Sequence, residues 1–80
     1  MEEETKLSFG QAAVGLSFNP SGDEQVTKLK QLYAEIINIL ADDRSDNRDE
    51  RARLASVAIT EAQTAQMWAV KAITWKRETN

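Results

Sequence analysis

The sequence predicts an all-α protein, because two long segments carry small or apolar residues at helical spacing and polar stretches separate these segments from the rest of the chain. In the first segment these residues are Val26, Leu29, Tyr33, Ile36, Ile37 and Leu40. In the second they are Ala58, Ala62, Ala65, Ala69 and Ala72. We therefore expect one small domain, with a short N-terminal helix followed by an antiparallel hairpin of two long helices.

The start of the chain predicts a tail and a short helix. Residues 1–6 are acidic and have no apolar pattern, which is typical of a solvated and frayed terminus. Four apolar residues then stand at helical spacing, and we expect a helix over residues 8–16 that is ended by Gly15 and the turn after it.

A Phe-Asn-Pro turn separates this helix from the next one. Pro20 favours an extended conformation at Asn19 and fixes the approach to the following helix. Ser21 and Glu24 match an S-x-x-E capping box, so Ser21 is the expected N-cap. The first long helix is predicted over residues 22–41.

The second long helix is predicted over residues 47–77, with Asn47 and Glu50 as its cap. The run from Ala41 to Arg53 is dense in both charges, which predicts a solvated turn and an exposed first helical turn. So short a connection favours antiparallel neighbours.

These bounds make the two helices unequal in length. At about 1.5 Å per residue the second is roughly 45 Å long and its partner roughly 30 Å, which leaves a Trp-rich overhang. We expect residues 7–16 to fold back over part of this overhang. Phe18 and Asn19 would then lie near the C-terminal half of the second long helix.

The second long helix carries more apolar surface than one partner helix can cover. From Met67 to Trp75 the only charge is Lys71. Leu32 and Ile39 likewise widen the apolar face of the preceding helix. A helix that is apolar all round is normally buried on several sides, so we expect other copies of the chain to cover it in a homo-oligomer.

The composition excludes several function classes. The chain has no histidine and no cysteine, which excludes the usual zinc sites, disulfides and an imidazole base. We expect no enzyme, no metal and no cofactor. The net charge of −3 matches the excess of Glu2, Glu3 and Glu4, and the balanced remainder argues against binding long DNA or RNA. No apolar run approaches the roughly 20 residues that cross a bilayer, so we expect no membrane association and a cytosolic protein.

Aromatic and basic side chains favour binding over catalysis. Four aromatic rings offer flat surfaces for a base, and three lysines offer charge for a phosphate. They are Phe18, Tyr33, Trp68, Trp75, Lys28, Lys30 and Lys71. Each also has a plainer interpretation: the tryptophans as subunit-interface anchors, the lysines as solvated helix residues and the tyrosine as core.

Two stretches resemble a family of very short phage proteins. The first is Phe18-Asn19-Pro20, followed by the pair Leu29-Lys30, and the second is the segment MWAVKA at residues 67–72. An aromatic-His/Asn-Pro turn, an I/L-[KR] pair and an MWA-x-x-A segment are features of the anti-CBASS nucleotide sponges of the anti-CBASS protein 2 type. The resemblance extends over residues 16–76, and MWAVKA is its most specific part.

The resemblance implies a homohexamer of short helical chains in the cytoplasm of the bacterial host. Such sponges bind cyclic dinucleotides such as 3′,3′-cGAMP, and some members also bind cyclic trinucleotides. They do not degrade these messengers, and by holding them they prevent activation of the CBASS effector.

The resemblance also implies roles for particular residues. Phe18, next to Asn19 and Pro20, would stack on a base without the hydroxyl of the tyrosine found in many relatives, and Lys30 would reach a phosphate. The stretch before Lys30 is shorter than in other members, so Lys28 is an alternative phosphate ligand. Trp68 is a further candidate for the ligand site.

A hypothesis from a different class is a helical oligomerisation or protein-interaction module without a nucleotide ligand. In that case Trp68 and Trp75 would only join subunits or dock a host protein. Replacement of Phe18 distinguishes the two hypotheses, because it should abolish nucleotide binding in a sponge and leave the oligomer intact.

Overall fold

The computed structural model describes residues 6–76, and this part of the chain is all-helical, as predicted. The helices are α1 (Phe9–Ala13), α2 (Glu24–Ser45) and α3 (Glu50–Ile73). α2 and α3 pack against each other as a hairpin, and α1 packs on α2. Most of the predicted N-terminal tail, residues 1–5, lies outside the described residues.

α1 is a short helix with a defined start and end. Ser8 Oγ accepts a hydrogen bond from the Gln11 amide at 3.1 Å, and the Ser8 amide donates to Gln11 Oε1 at 2.8 Å. This reciprocal pair is a capping box. The helix ends three residues earlier than expected because Gly15 has a φ of +64°. The amides of Gly15 and Leu16 bond back to helix carbonyls in a Schellman arrangement.

α2 begins at Glu24, and its N-cap is Asp23. The prediction of Ser21 as N-cap was wrong, because Gly22 has a φ of +68°, outside the helical region, and no helix can run through it. The Asp23 carboxylate accepts a hydrogen bond from the second helical amide at 2.8 Å. Ser21 Oγ instead accepts from the Asp23 amide at 3.2 Å and donates to Asn19 Oδ1 at 2.7 Å.

α3 is capped by Asp49, whose carboxylate accepts a hydrogen bond from the second helical amide at 3.1 Å. The prediction of Asn47 as N-cap was therefore wrong. The Asn47 side chain instead donates to a carbonyl in the last turn of α2 at 2.7 Å. The helix ends at Ile73, residues 75–76 are not helical, and the predicted end at Arg77 lies outside the described residues.

α2 continues to Ser45, through part of the charged run that predicted a turn. Two contacts with α3 hold this end: Arg51 Nε donates to Asp43 Oδ2 at 3.0 Å, and Arg44 Nη1 donates to Ser56 Oγ at 3.2 Å. With 22 and 24 residues, α2 and α3 are about 33 and 36 Å long. The predicted difference in length, with its Trp-rich overhang, was wrong.

The core lies where the three helices meet. Val14, Ala34, Ile37 and Ile59 form its buried cluster. The buried side of α2 is rotated relative to the predicted one, because Lys30 and Ala34 lie on it, whereas Ile36 is 46% exposed. α1 causes this rotation, since the Gly10 amide donates to Asn38 Oδ1 at 2.7 Å and so covers α2 on the Ala34 side.

The molecule is thin, with a smallest principal extent of 13 Å, close to the width of one helix. α1 covers one side of the hairpin, where Gln63 Nε2 donates to the Ala13 carbonyl at 3.4 Å. The opposite side, here called the apolar face, is formed by Leu29, Leu32, Ile36 and Ile39 of α2 with Ala58, Ala62, Ala65 and Ala69 of α3. Leu32 and Ile39 are 52% and 69% exposed, so one chain leaves much of this face uncovered.

Candidate functional site

The loop between α1 and α2 is held by the side chain of Asn19. Asn19 Nδ2 donates to the Asp23 carbonyl at 2.9 Å and to Thr27 Oγ1 at 3.0 Å. Asn19 Oδ1 accepts a hydrogen bond from Ser21 Oγ at 2.7 Å. These bonds fasten the loop to the first turn of α2 and fix the backbone next to Phe18.

Lys30 lies on α2 beneath this loop and is only 6% exposed. Its Nζ donates to the Gly15 carbonyl at 3.0 Å and to the Phe18 carbonyl. The same Nζ lies 5.6 Å from the centroid of the Phe18 ring, within cation–π range. An ammonium group has three N–H donors. The two bonds that it makes to the described loop leave one donor for a further acceptor.

A cavity of about 240 Å³ opens beside Phe18 and Lys30. The loop, the first turns of α2 and the end of α3 form its walls, which are mostly apolar. The lining residues are Phe18, Asn19, Pro20, Ser21, Val26, Lys30, Val70 and Thr74. The Phe18 side chain is 69% exposed. A flat aromatic surface and a buried cation therefore meet at one opening, which suits a base attached to a phosphate.

The structure brings together four of the six residues that the sequence singled out for a ligand site. They are Phe18, Asn19, Pro20 and Lys30, and all of them line this cavity. The loop lies against the C-terminal half of α3, as the sequence predicted, since Val70 and Thr74 share the cavity.

Lys28 and Trp68 lie elsewhere on the chain. Two residues along a helix correspond to a rotation of about 200°, so Lys28 is on the side of α2 away from Lys30. It is exposed and lies beside Leu29 and Ile73, at the edge of the apolar face. Trp68 is on the outer side of α3, 66% exposed, with Lys71 Nζ 5.8 Å from the centroid of its ring.

Val70 of α3 and Thr74, the C-cap of this helix, were not among the predicted site residues. Thr74 lines the cavity, and its Oγ1 donates to the Val70 carbonyl at 2.7 Å. The available signal was their spacing of four residues on the helix side that also carries Ile59. This spacing predicts that both side chains face the interior of the molecule, but it does not predict that they line a ligand cavity.

Among the described residues, the groups with shifted pKa values lie near the connection between α2 and α3, at the end of the hairpin away from the cavity. A hydrogen bond from Arg51 lowers the pKa of the Asp43 carboxyl below its ordinary value, and the charge of Arg51 adds to this effect. A hydrogen bond from Arg53 lowers the pKa of Glu50 in the same way. Both pairs are solvent-exposed, so they contribute modestly to the hairpin connection.

Across residues 6–76, no group of three acidic side chains is placed to hold a metal ion. None of the helices in that range has the length and apolar character needed to cross a membrane.

Comparison with protein families gives one finding. The family model described as Acb2/Tad1, hairpin domain, matches residues 11–74. The match includes the loop, all of α2 and α3, and every residue that lines the cavity. No curated protein and no solved structure matches the chain.

Proposed function

Since the chain belongs to the Acb2/Tad1 hairpin family, the anti-CBASS protein 2 family, we propose that it sequesters cyclic oligonucleotide second messengers without degrading them. Membership implies an anti-CBASS role in which cyclic oligonucleotides are bound. Sequestration would keep a CBASS effector from being activated. In this proposal the protein comes from a phage and acts in the cytoplasm of the bacterial host.

The observation that carries the proposal is the pairing of Phe18 with Lys30 at the mouth of one cavity. The Phe18 side chain is 69% exposed, so a nucleobase can stack on its ring. The Lys30 ammonium is already desolvated by burial and held by two carbonyls, so it loses little freedom when it meets a phosphate oxygen. Base and phosphate are thus recognised by neighbouring groups.

A cyclic dinucleotide such as 3′,3′-cGAMP fits this arrangement when two chains share the ligand. It has two bases and two phosphates, whereas each cavity offers one exposed ring and one cation. A cavity of about 240 Å³ is also smaller than the roughly 300 to 1,000 Å³ of pockets that enclose drug-sized ligands. We therefore place the ligand between protomers, with a Phe18 and a Lys30 from each. A cyclic trinucleotide is a further candidate ligand, for which we assign no residues.

The uncovered apolar surface supports the homo-oligomer, for which we propose the hexamer that the resemblance implies. Ile39, 69% exposed, lies on the apolar face; Trp68, 66% exposed, lies on the outer side of α3, and Trp75, 68% exposed, follows its C-terminal end. Large exposed apolar patches are typical of protein interfaces. Lys28 and Trp68, which lie away from the cavity of their own chain, can reach a ligand only at the cavity of a neighbouring copy.

Calorimetric titration with 3′,3′-cGAMP tests the proposal, with Phe18→Ala and Phe9→Ala as matched variants. Both rings are exposed and both lie near a cation, but Phe9 is outside the cavity. Loss of base stacking costs about 1–3 kcal/mol, so Phe18→Ala is expected to weaken binding about 5- to 150-fold and Phe9→Ala far less. Ligand recovered after heating the complex should be intact, and a linear product would contradict non-catalytic sequestration.

The second candidate is the protein-interaction module, which the exposure of Trp68 and Trp75 favours. In that case the wild-type protein releases no heat with cyclic dinucleotides or trinucleotides. Replacement of Phe18 would then change the assembly or nothing.

A further inference from the structure

We propose that Thr27 is a positioning residue for the ligand cavity: it holds the Asn19 side chain, whose N–H donors act on the loop and not on the ligand. This inference rests on the proposed function, because the loop matters for binding only if the cavity beside Phe18 receives a ligand. It assigns a role to a residue that lies outside the cavity lining.

Both N–H donors of the Asn19 side chain are already used within the chain. A side-chain amide has two N–H donors. One bonds to the Asp23 carbonyl at 2.9 Å and the other to Thr27 Oγ1 at 3.0 Å. The carbonyl oxygen accepts from Ser21 Oγ at 2.7 Å. A ligand could take a hydrogen bond from Asn19 Nδ2 only by breaking one of these contacts.

Thr27 is a well-fixed acceptor for this purpose. It lies in the first turn of α2, is half-buried, and its amide bonds to the Asp23 carbonyl at 3.3 Å. A threonine in a helix has only two favoured χ1 rotamers, so few positions are open to its hydroxyl. The Asn19 amide is therefore aligned against a rigid helical turn.

Fixing Asn19 also fixes the residue that is proposed to stack on the base. Phe18 directly precedes Asn19, its amide donates to the Gly15 carbonyl at 2.9 Å, and its own carbonyl accepts from Lys30. Because the Phe18 amide, the Phe18 carbonyl and the Asn19 side chain are all held, the backbone that carries the ring is fixed before a ligand arrives. Preorganisation of this kind raises affinity by reducing the ordering cost of binding.

The experiment compares Thr27→Val, which keeps the shape and removes the acceptor, with Thr27→Ser, which keeps the hydroxyl. The first readout is deuterium exchange of the Asn19 side-chain amide, measured by NMR without ligand. The second is calorimetric titration with 3′,3′-cGAMP. We expect Thr27→Val to exchange about fivefold faster and to bind about fivefold more weakly, the effect of losing one neutral hydrogen bond. Thr27→Ser should stay within twofold of wild type in both readouts.

Two results would overturn the inference. One is equal weakening by the valine and serine variants, which would indicate a packing role for the Thr27 methyl group. The other is unchanged exchange or unchanged binding in Thr27→Val. If the wild-type protein does not bind 3′,3′-cGAMP, the proposed function and the cavity role of Thr27 both fail, whereas the exchange readout still shows whether Thr27 holds Asn19.

Discussion

Replacement of Gly10 by alanine tests whether the contact between α1 and α2 positions the ligand loop. Gly10 is buried, and a Cβ built on it lies 2.8 Å from both the carbonyl carbon of Ala34 and Oδ1 of Asn38, with the Ala34 oxygen closer still. Two of these neighbours are backbone atoms of α2, which cannot swing aside as a flexible side chain would. The two helices must separate by roughly 1 Å before the methyl group fits.

The expected cost combines overpacking with a weakened hydrogen bond. Overpacking of a close contact costs about 1–3 kcal/mol. Separation also stretches the bond from the Gly10 amide to Asn38 Oδ1, now 2.7 Å, and an unsatisfied buried amide costs about 1–3 kcal/mol. We expect the free energy of unfolding to fall by about 2–5 kcal/mol, out of about 4–12 kcal/mol for a chain of this length.

Urea unfolding followed by far-ultraviolet circular dichroism measures this loss, and Gly22→Ala is the matched control. A Cβ at Gly22 meets nothing within 4 Å, so this variant carries only the strain of a φ of +68°, about 1 kcal/mol. Displacement of α1 also moves Gly15, whose carbonyl accepts from Lys30, so ligand binding should weaken in Gly10→Ala. The prediction is refuted if the free energy of unfolding of Gly10→Ala lies within about 0.5 kcal/mol of the wild-type value. It is also refuted if Gly10→Ala is no more destabilised than Gly22→Ala.

Two further predictions concern charged residues at opposite ends of the hairpin. Lys30→Met keeps the length of the side chain but removes the ammonium. In calorimetry, binding of 3′,3′-cGAMP should therefore weaken at least about tenfold and become less sensitive to salt. Unchanged affinity would contradict the role of Lys30. The pKa of Asp43 is lowered in the folded state, chiefly by the hydrogen bond from Arg51, so its stabilising effect is present above the ordinary value of 3.8 and is lost as the pH falls through the folded value. The stability difference between wild type and Asp43→Asn, measured by urea unfolding, should therefore be larger at pH 6 than at pH 3, and a difference independent of pH would contradict this account.

The sequence predicted the helices and the placement of the loop better than it predicted their ends. Periodicity identified both long helices, since burial against a partner imposes that spacing. Ser21 was assigned as N-cap from a capping-box pattern, but the φ of Gly22 decides the start of α2, and the sequence does not contain that angle. The charged segment before Ser45 was predicted as a turn because its local sequence is polar. The contacts that keep it helical are made with Arg51 and Ser56 of α3, which the local sequence does not reveal.

The candidate site was predictable only in part. Phe18 and Lys30 were singled out because their residue types suit stacking and charge, and Asn19 and Pro20 because of the family resemblance. The sequence did not show that Lys30 is buried and bonded to two loop carbonyls, because a lysine within a helix is usually solvated. The role of Thr27 was missed for a similar reason, since a polar residue in a first helical turn gives no signal of a partner eight positions earlier.

The most direct test of the central claim is the stoichiometry of 3′,3′-cGAMP binding, measured by calorimetry on protein whose mass in solution is determined by light scattering. We expect a homo-oligomer that binds one dinucleotide for every two chains and releases it intact on heating. Heat evolved at one ligand per chain by a monomer would contradict the shared site. No heat at micromolar protein, with either the dinucleotide or a cyclic trinucleotide, would contradict sequestration itself.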